Sequence, residues 1–374
     1  MNKKIKIIIS GGGTGGHIFP ALSIANSIRE INPNTEILFV GAIGKMEMER
    51  VPAAGYQIKG LPVAGFQRRL SLANLSLPFK VFHSIHMANK IINEFKPNVV
   101  VGVGGYASAP LLWCASRKKI PCLIQEQNSY AGITNKILGK RVSKICVAYD
   151  GMEKFFPKEK IIFTGNPIRK EIAPPTEIQK IEGYNFYDLN SSKKTIFVVG
   201  GSLGCGTLNK AMKKWILEKA EKANYQIIWQ SGNYYKEDIS SFLHGKNLSN
   251  VKNFDFIQRM DLAFAVADLI ISRAGAGTIS ELCVAGKATI FVPSPNVAED
   301  HQTHNAMAIV NKGAAFIIKD SQAEEKLMDL AEKLLNNEQE IRRLECNILK
   351  LGKKDAGAVI ANEVLSLIDK YNEK

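Results

Sequence analysis

Glycine-rich turns, each followed by a polar or ionisable residue, are where this chain can do chemistry. The densest stretch is 268–306. Residues 268–272 read as a short buried strand that runs into Arg273-Ala274-Gly275-Ala276-Gly277-Thr278. Glycine and alanine there let backbone approach a ligand closely. A helix starting at or near Thr278 would aim N–H groups at an anion such as phosphate. Glu281 falls one turn inside that helix. Its carboxylate can accept two hydrogen bonds from vicinal hydroxyls, as a ribose offers; equally, it can be a first-turn acid held by the helix dipole. A second strand, 288–293, leads to Glu299-Asp300-His301-Gln302-Thr303-His304-Asn305, groups able to hold sugar hydroxyls. In outline this is a nucleotide-sugar site.

Further turns repeat the pattern. Gly11-Gly12-Gly13-Thr14-Gly15-Gly16 ends in His17. It is neither a dinucleotide fingerprint nor a P-loop, since no lysine follows. His17 stands at the mouth of a helix, where an imidazole can exchange a proton near neutral pH or simply cap the helix. Gly104-Gly105-Tyr106 precede a helix near Ser108, which is either an anion site or a tight strand-to-helix turn. Glu126-Gln127-Asn128 close a strand where ligand hydroxyls can be met. Arg169, after Gly165-Asn166-Pro167, can reach a diphosphate or sit in a surface ion pair. Ser202, inside Gly200-Gly201-Ser202-Leu203-Gly204, can donate to a phosphate oxygen.

The elements that must carry these turns alternate strand and helix. Strands are expected at 5–10, 36–40, 98–103, 122–125 and 144–148, with a helix from Ile18 to about Ile31 that has Pro20 in its first turn. Residues 174–193 have no clear period and read as surface connection. The pattern then restarts with a strand at 195–199, a glycine loop, and a helix at 207–220. Further strands are expected at 226–229, 269–272, 289–292 and 315–318, and helices at 322–350 and 355–371. This is an α/β chain of two Rossmann-like lobes, with ligands at the carboxyl ends of the strands. A length of 374 residues, 45% hydrophobic and 22% charged, suits two soluble domains. No apolar run is long enough to cross a membrane. Six cysteines without CxxC or metal spacing read as reduced core residues.

Charge is unevenly divided. Residues 1–166 hold 22 Lys+Arg against 9 Asp+Glu, whereas 167–374 hold 27 against 26. The basic half either seeks an acidic partner or merely keeps the surface soluble. Within it, 63–82 mixes Phe66, Leu70, Leu72, Leu75, Leu77 and Phe79 with Arg68, Arg69 and Lys80. That composition suits insertion at an anionic lipid surface or a helix packed on the lobe. No nucleic-acid module is recognisable, so nucleic acid is not an expected partner.

Taken together, the motifs resemble the MurG family of bacterial glycosyltransferases. The pattern Arg-x-Gly-Ala-x-Thr-x-x-Glu with a later His-Gln-x-x-Asn-Ala is similar to the family's donor signature. GGTGGH-x-x-P-A-L, G-x-G-G-Y-x-S-x-P, E-Q-N-x-x-A-G-x-T-N-K and G-N-P-I-R match in order from residue 11 onward. Leu203, Cys205 and Ala274 depart from it, standing where most or many members have glutamine, alanine and serine.

The resemblance implies a GT-B fold with an inter-lobe cleft: 1–166 plus 355–374 as acceptor- and membrane-binding lobe, 167–354 as UDP-GlcNAc-binding lobe. It implies inverting transfer of GlcNAc from UDP-GlcNAc to lipid I, the undecaprenyl-diphosphate-linked MurNAc-peptide, with His17 as base. Donor binding falls to Thr14, Gly15, Asn128, Arg169, Ser202, Ile257, Arg273, Gly275, Ala276, Gly277, Thr278, Glu281, His301, Gln302 and Asn305. Ile257 would offer backbone to uracil, Glu281 would hold the ribose, and Gln302 the GlcNAc. Acceptor binding falls to Gly13, Gly16, Gly104, Gly105, Tyr106 and Glu126. No cofactor and no metal are expected, since the chain lacks an Asp-x-Asp triplet. The expected location is the cytoplasmic face of the plasma membrane, peripherally bound, among cell-wall synthesis proteins. The competing expectations are a UDP-GlcNAc epimerase of the same fold and a basic, non-catalytic anion binder.

Overall fold

The computed structural model describes residues 4–63 and 77–372. It separates into two compact units, residues 1–168 with 354–374, and residues 169–353. The first runs β1 (Lys6–Ser10), α1 (Gly15–Ile31), β2 (Glu36–Ala42), α2 (Glu47–Ala53), β3 (Gln57–Leu61), α3 (Leu77–Phe95), β4 (Val99–Gly102), α4 (Ser108–Arg117), β5 (Cys122–Glu126), α5 (Ile133–Gly139), β6 (Lys144–Val147) and β7 (Ile161–Phe163). The second runs α6 (Glu177–Phe186), β8 (Thr195–Val199), α7 (Gly206–Glu218), β9 (Gln226–Gln230), α8 (Lys236–Leu243), β10 (Val251–Phe254), α9 (Met260–Val266), β11 (Leu269–Ser272), α10 (Ala276–Ala285), β12 (Thr289–Phe291), α11 (His301–Val310), β13 (Phe316–Ile317), α12 (Ala323–Leu335) and α13 (Glu338–Leu349). The last helix, α14 (Ala356–Asn372), belongs to the first unit and packs on α1.

Both sheets are parallel. Their strand orders are β3-β2-β1-β4-β5-β6-β7 and β10-β9-β8-β11-β12-β13. Each is covered on both faces, so its central strands are continuously apolar. In β1, Ile7 and Ile9 join the core under α1 and α14, while Ile8 joins the core on the opposite face. Lys144 on β6 pairs with Glu363 and donates to Ser366 of α14, fastening the chain's end to the first sheet. Chain order reverses between β1 and β4, and between β8 and β11; ligands bind at such points, beyond the strands' carboxyl ends.

Several expectations need correcting. α1 starts at Gly15, so Pro20 lies past the first turn and α1 lacks one internal N–H. The stretch 174–193 contains α6, opened by a capping box between Thr176 and Gln179. Strands β3, β7 and β10 carry no clear sequence signal because all three are sheet edges and only partly buried. The 322–350 helix is two, divided where Asn337 caps α13. Five of the six cysteines are buried; burial pushes the thiols of Cys122, Cys146 and Cys283 up to about 12. Apart from Val63 and 77–82, the amphipathic stretch 63–82 lies outside the described residues.

Candidate active site

In the first unit the loops after β1 and β4 lock together. A Cβ on Gly105, which has φ +86°, would lie 2.4 Å from the Gly12 carbonyl oxygen; one on Gly104 would lie 2.9 Å from the His17 ring. The glycines are thus needed for loop-to-loop packing and for seating the imidazole. Ser108 ties the same ends, donating to the carbonyls of Ser10 (2.9 Å) and Gly104 (2.8 Å). His17 lies in the first turn of α1, its Nδ1 3.1 Å from the Gly12 oxygen and 3.3 Å from Thr14 Oγ1. Gly15 and Gly16 supply first-turn amides, which a helix start leaves without an intrahelical acceptor. Tyr106 is exposed in the loop after β4.

Gly13 needs correction as an anion contact, because its N–H donates inward to Glu47 Oε2 at 2.9 Å. Glu47 itself was not anticipated. It sits in the charged run Glu47-Met48-Glu49-Arg50, which reads as a solvated helix face, yet it is fully buried. The one available signal was Gly41, a glycine in a strand, which marks a close approach. A Cβ there would meet Glu47 Cγ at 2.5 Å.

Glu126 also turns inward. Its Oε1 accepts from Asn128 N (3.0 Å), and its Oε2 accepts from Gly132 N (3.0 Å) and Asn135 Nδ2 (2.9 Å). It braces the 128–135 turn and is 1% exposed, so it shapes a site without facing an acceptor. Gln125 donates to Asn166, and Gln127 to the Val103 carbonyl. At this strand end Asn128 is the partly accessible residue.

In the second unit, the first turn of α10 (Ala276, Gly277, Thr278) begins at Gly275, and open space lies over Gly277. A ten-residue helix opening there offers amides to a phosphate. One turn on, Glu281 accepts a forked pair of hydrogen bonds from Arg169, at 2.7 and 2.6 Å. Two expected donor contacts are therefore partners of each other. An ionised carboxylate has about four acceptor positions, so this leaves acceptor capacity for a ribose. Ser202 is exposed in the loop after β8. His301 opens α11 beside Glu299, with 3.4 Å between Nε2 and Oε2. Glu299 and Asp300 both have left-handed backbone, φ 54° and 49°, strain that clusters at ligand clamps.

Four donor assignments are revised. Arg273 donates to the Val292 and Pro293 carbonyls and pairs with Asp320, so it fastens the end of β12. Gln302 Oε1 accepts from Ala274 N (3.2 Å) and Ser294 N (2.9 Å), which leaves its NH₂ group for a sugar. Asn305 is 1% exposed on the inner face of α11. Ile257 is buried and its N–H donates to Gln230 Oε1 (2.9 Å), which leaves only its carbonyl for a base.

Residues 7–147 match the glycosyltransferase family 28 N-terminal domain, and residues 195–360 match its C-terminal domain. A Phocaeicola vulgatus protein described as UDP-N-acetylglucosamine--N-acetylmuramyl-(pentapeptide) pyrophosphoryl-undecaprenol N-acetylglucosamine transferase is 54% identical, covering 100% of this chain and 99% of its own. A Cytophaga hutchinsonii protein of the same description is 50% identical over 98% of each. The chain belongs to the MurG family. A crystal structure of Acinetobacter baumannii MurG superposes with a TM-score of 0.79 at 26% identity, covering 97% of this chain and 100% of that one. The fold reaches beyond MurG: a UDP-GlcNAc 2-epimerase from Neisseria meningitidis gives a TM-score of 0.66 at 15% identity, over 97% of this chain and 100% of that one.

Proposed function

We propose that the protein transfers GlcNAc from UDP-GlcNAc to the C4 hydroxyl of MurNAc on undecaprenyl diphosphate, converting lipid I to lipid II for peptidoglycan. The observation that carries this is identity above 50% over the whole length to transferases of that description. The epimerases share the fold at 15% identity or less, which speaks for architecture alone.

The second unit takes the donor. The first-turn amides of α10 and Ser202 meet the diphosphate, whose charge grows as UDP leaves. Glu281 takes the ribose with Arg169 at its side, the Ile257 carbonyl the uracil, and His301 and the Gln302 NH₂ group the GlcNAc. The first unit takes the acceptor at the Gly16 amide and Tyr106, while Gly15 and Asn128 serve the donor. His17 removes the hydroxyl proton as that oxygen attacks the anomeric carbon from the side opposite UDP, so α becomes β. No metal takes part.

Membrane attachment belongs to the first unit, with its excess of Lys and Arg. Val81 and Phe82 are exposed on α3, beside α4, where Arg117 lies 4.9 Å over the Trp113 ring. Exposed apolar side chains on a unit rich in Lys and Arg suit an anionic bilayer, peripherally, since no described helix is long and apolar enough to cross one.

Incubation with labelled UDP-GlcNAc and a lipid I analogue, with and without chelator, tests the reading. Disaccharide should form equally in both. UDP-GlcNAc altered in the absence of acceptor would instead make the protein an epimerase. His17→Ala should lower turnover roughly 10²–10⁴-fold while donor affinity holds. Unchanged turnover would remove His17 from the mechanism.

A further inference from the structure

We propose that Glu47 is a positioning residue for the transfer step, acting on His17 through the Gly12–Gly13 peptide; this rests on His17 being the base. Glu47 opens α2 with no exposed surface. Its Oε1 accepts from Ala42 N and its Oε2 from Gly13 N, both at 2.9 Å. It is wedged where two glycines leave room: a Cβ on Gly12 would lie 2.0 Å from Oε1, and one on Gly41 2.5 Å from Cγ. Burying a carboxylate is unfavourable even when it is hydrogen-bonded. Both oxygens are turned inward and none of the side chain is exposed, so any effect of Glu47 on transfer runs through the backbone groups it holds.

That route is the peptide between Gly12 and Gly13. In a planar trans peptide, N–H and C=O point in opposite directions. With Gly13 N–H held by Glu47, the Gly12 carbonyl is turned the other way, where it meets His17 Nδ1 at 3.1 Å. A carbonyl only accepts, so Nδ1 carries the hydrogen, and the neutral ring then has its lone pair on Nε2. Thr14 Oγ1, 3.3 Å from the same nitrogen, can accept from it as well. A carboxylate on the amide end polarises the peptide and strengthens its carbonyl as an acceptor. The charge that grows on the imidazole is stabilised in this way. During transfer the hydroxyl oxygen bonds to the anomeric carbon, the bond from that carbon to the UDP oxygen breaks with its electron pair leaving on UDP, and the proton moves to Nε2. Glu47 touches none of these atoms.

The first measurement needs no variant. Long-range ¹H–¹⁵N spectra of histidine-labelled protein, above the pH at which the rings titrate and with His17 assigned by its loss in His17→Gln, should show His17 protonated at Nδ1. Protonation at Nε2 overturns the proposal, and this spectrum decides even where the acid variant fails to fold. In Glu47→Gln, the Nδ1–H population should fall and kcat should drop about 10- to 100-fold, the size usual for outer-shell partners. KM for UDP-GlcNAc should stay unchanged. In a His17→Ala background the same substitution should have no further effect on kcat. An unaltered tautomer in Glu47→Gln, or a full additional loss beside His17→Ala, overturns the role of Glu47 while leaving His17 as base. Wild-type turnover in His17→Ala removes the base itself and leaves the tautomer result standing.

Discussion

The loop after β1 and the loop after β8 look alike in composition, and the fold uses them with opposite polarity. After β1, a carboxylate lies beneath the loop and takes an N–H from it, so the Gly12 carbonyl faces His17. After β8, an amide lies beneath the loop: Gln230 Nε2 donates to the Gly201 carbonyl at 2.8 Å. Trans geometry then directs the next N–H, that of Ser202, the opposite way. One loop therefore presents an acceptor suited to an imidazole, and the other a donor suited to a phosphate. Their neighbours differ too. The first interlocks with the loop after β4, where strand order reverses, and the second with the loop after β9. A glycine run tells where backbone comes close, and the group beneath it tells what the backbone offers.

The largest effects should come from breaking the interlocks. Gly105→Ala and Gly204→Ala each combine φ near +90° with a Cβ driven to 2.4 Å from the Gly12 oxygen or 2.1 Å from the Ser231 oxygen. Each should lower unfolding free energy by about 3 kcal/mol or more. Gly13→Ala and Gly201→Ala have the same sign of φ but open space, and should lose only about 1–2 kcal/mol. Denaturant midpoints would separate the pairs, and equal losses in all four would mean that the interlocks are unimportant.

A middle-sized effect should follow from imposing the first loop's polarity on the second. Gln230→Glu keeps an acceptor for Ile257 N–H but sets a carboxylate oxygen against the Gly201 carbonyl. UDP affinity, measured by calorimetry, should weaken about tenfold or more, since the Gly201 carbonyl keeps only the Gly204 N–H and faces a carboxylate oxygen where the Gln230 donor stood. Unchanged affinity would break the polarity argument for this loop.

The helix starts should give the smallest effects. Cys205 caps α7, its Sγ accepting from Leu208 N at 3.4 Å, whereas Thr14 makes no side-chain cap on α1 and lies by His17 instead. Cys205→Ala should lower stability by about 1 kcal/mol or less, and Thr14→Ala by only a few tenths. A larger loss for Thr14→Ala would mean that α1 leans on that hydroxyl after all.

Much of this molecule is legible from its residues. β1, β5, β8 and β11 read as strands because both faces are buried and nothing interrupts their apolar runs. The turns at 11–16, 104–105 and 275–277 read as close approaches because glycine has few other uses at a strand's end. Direction was not legible. Glu126, Arg273 and Asn305 have the right types for ligands, yet they face the protein, since buried backbone groups at strand ends also need partners. Glu47 was hidden for the converse reason, an acid inside a charged run that packs into space left by Gly41 and the distant Gly12.

The sequence by itself determined where the backbone can bend, which strands lie deep, and which chemical groups stand at each turn, because these depend on local sterics and hydrophobic patterning. Tertiary structure alone decided which way the Gly12–Gly13 and Gly201–Ser202 peptides face. A peptide's orientation is set by the hydrogen-bonding partner on a neighbouring element, here Glu47 or Gln230, and chain order does not encode that partner.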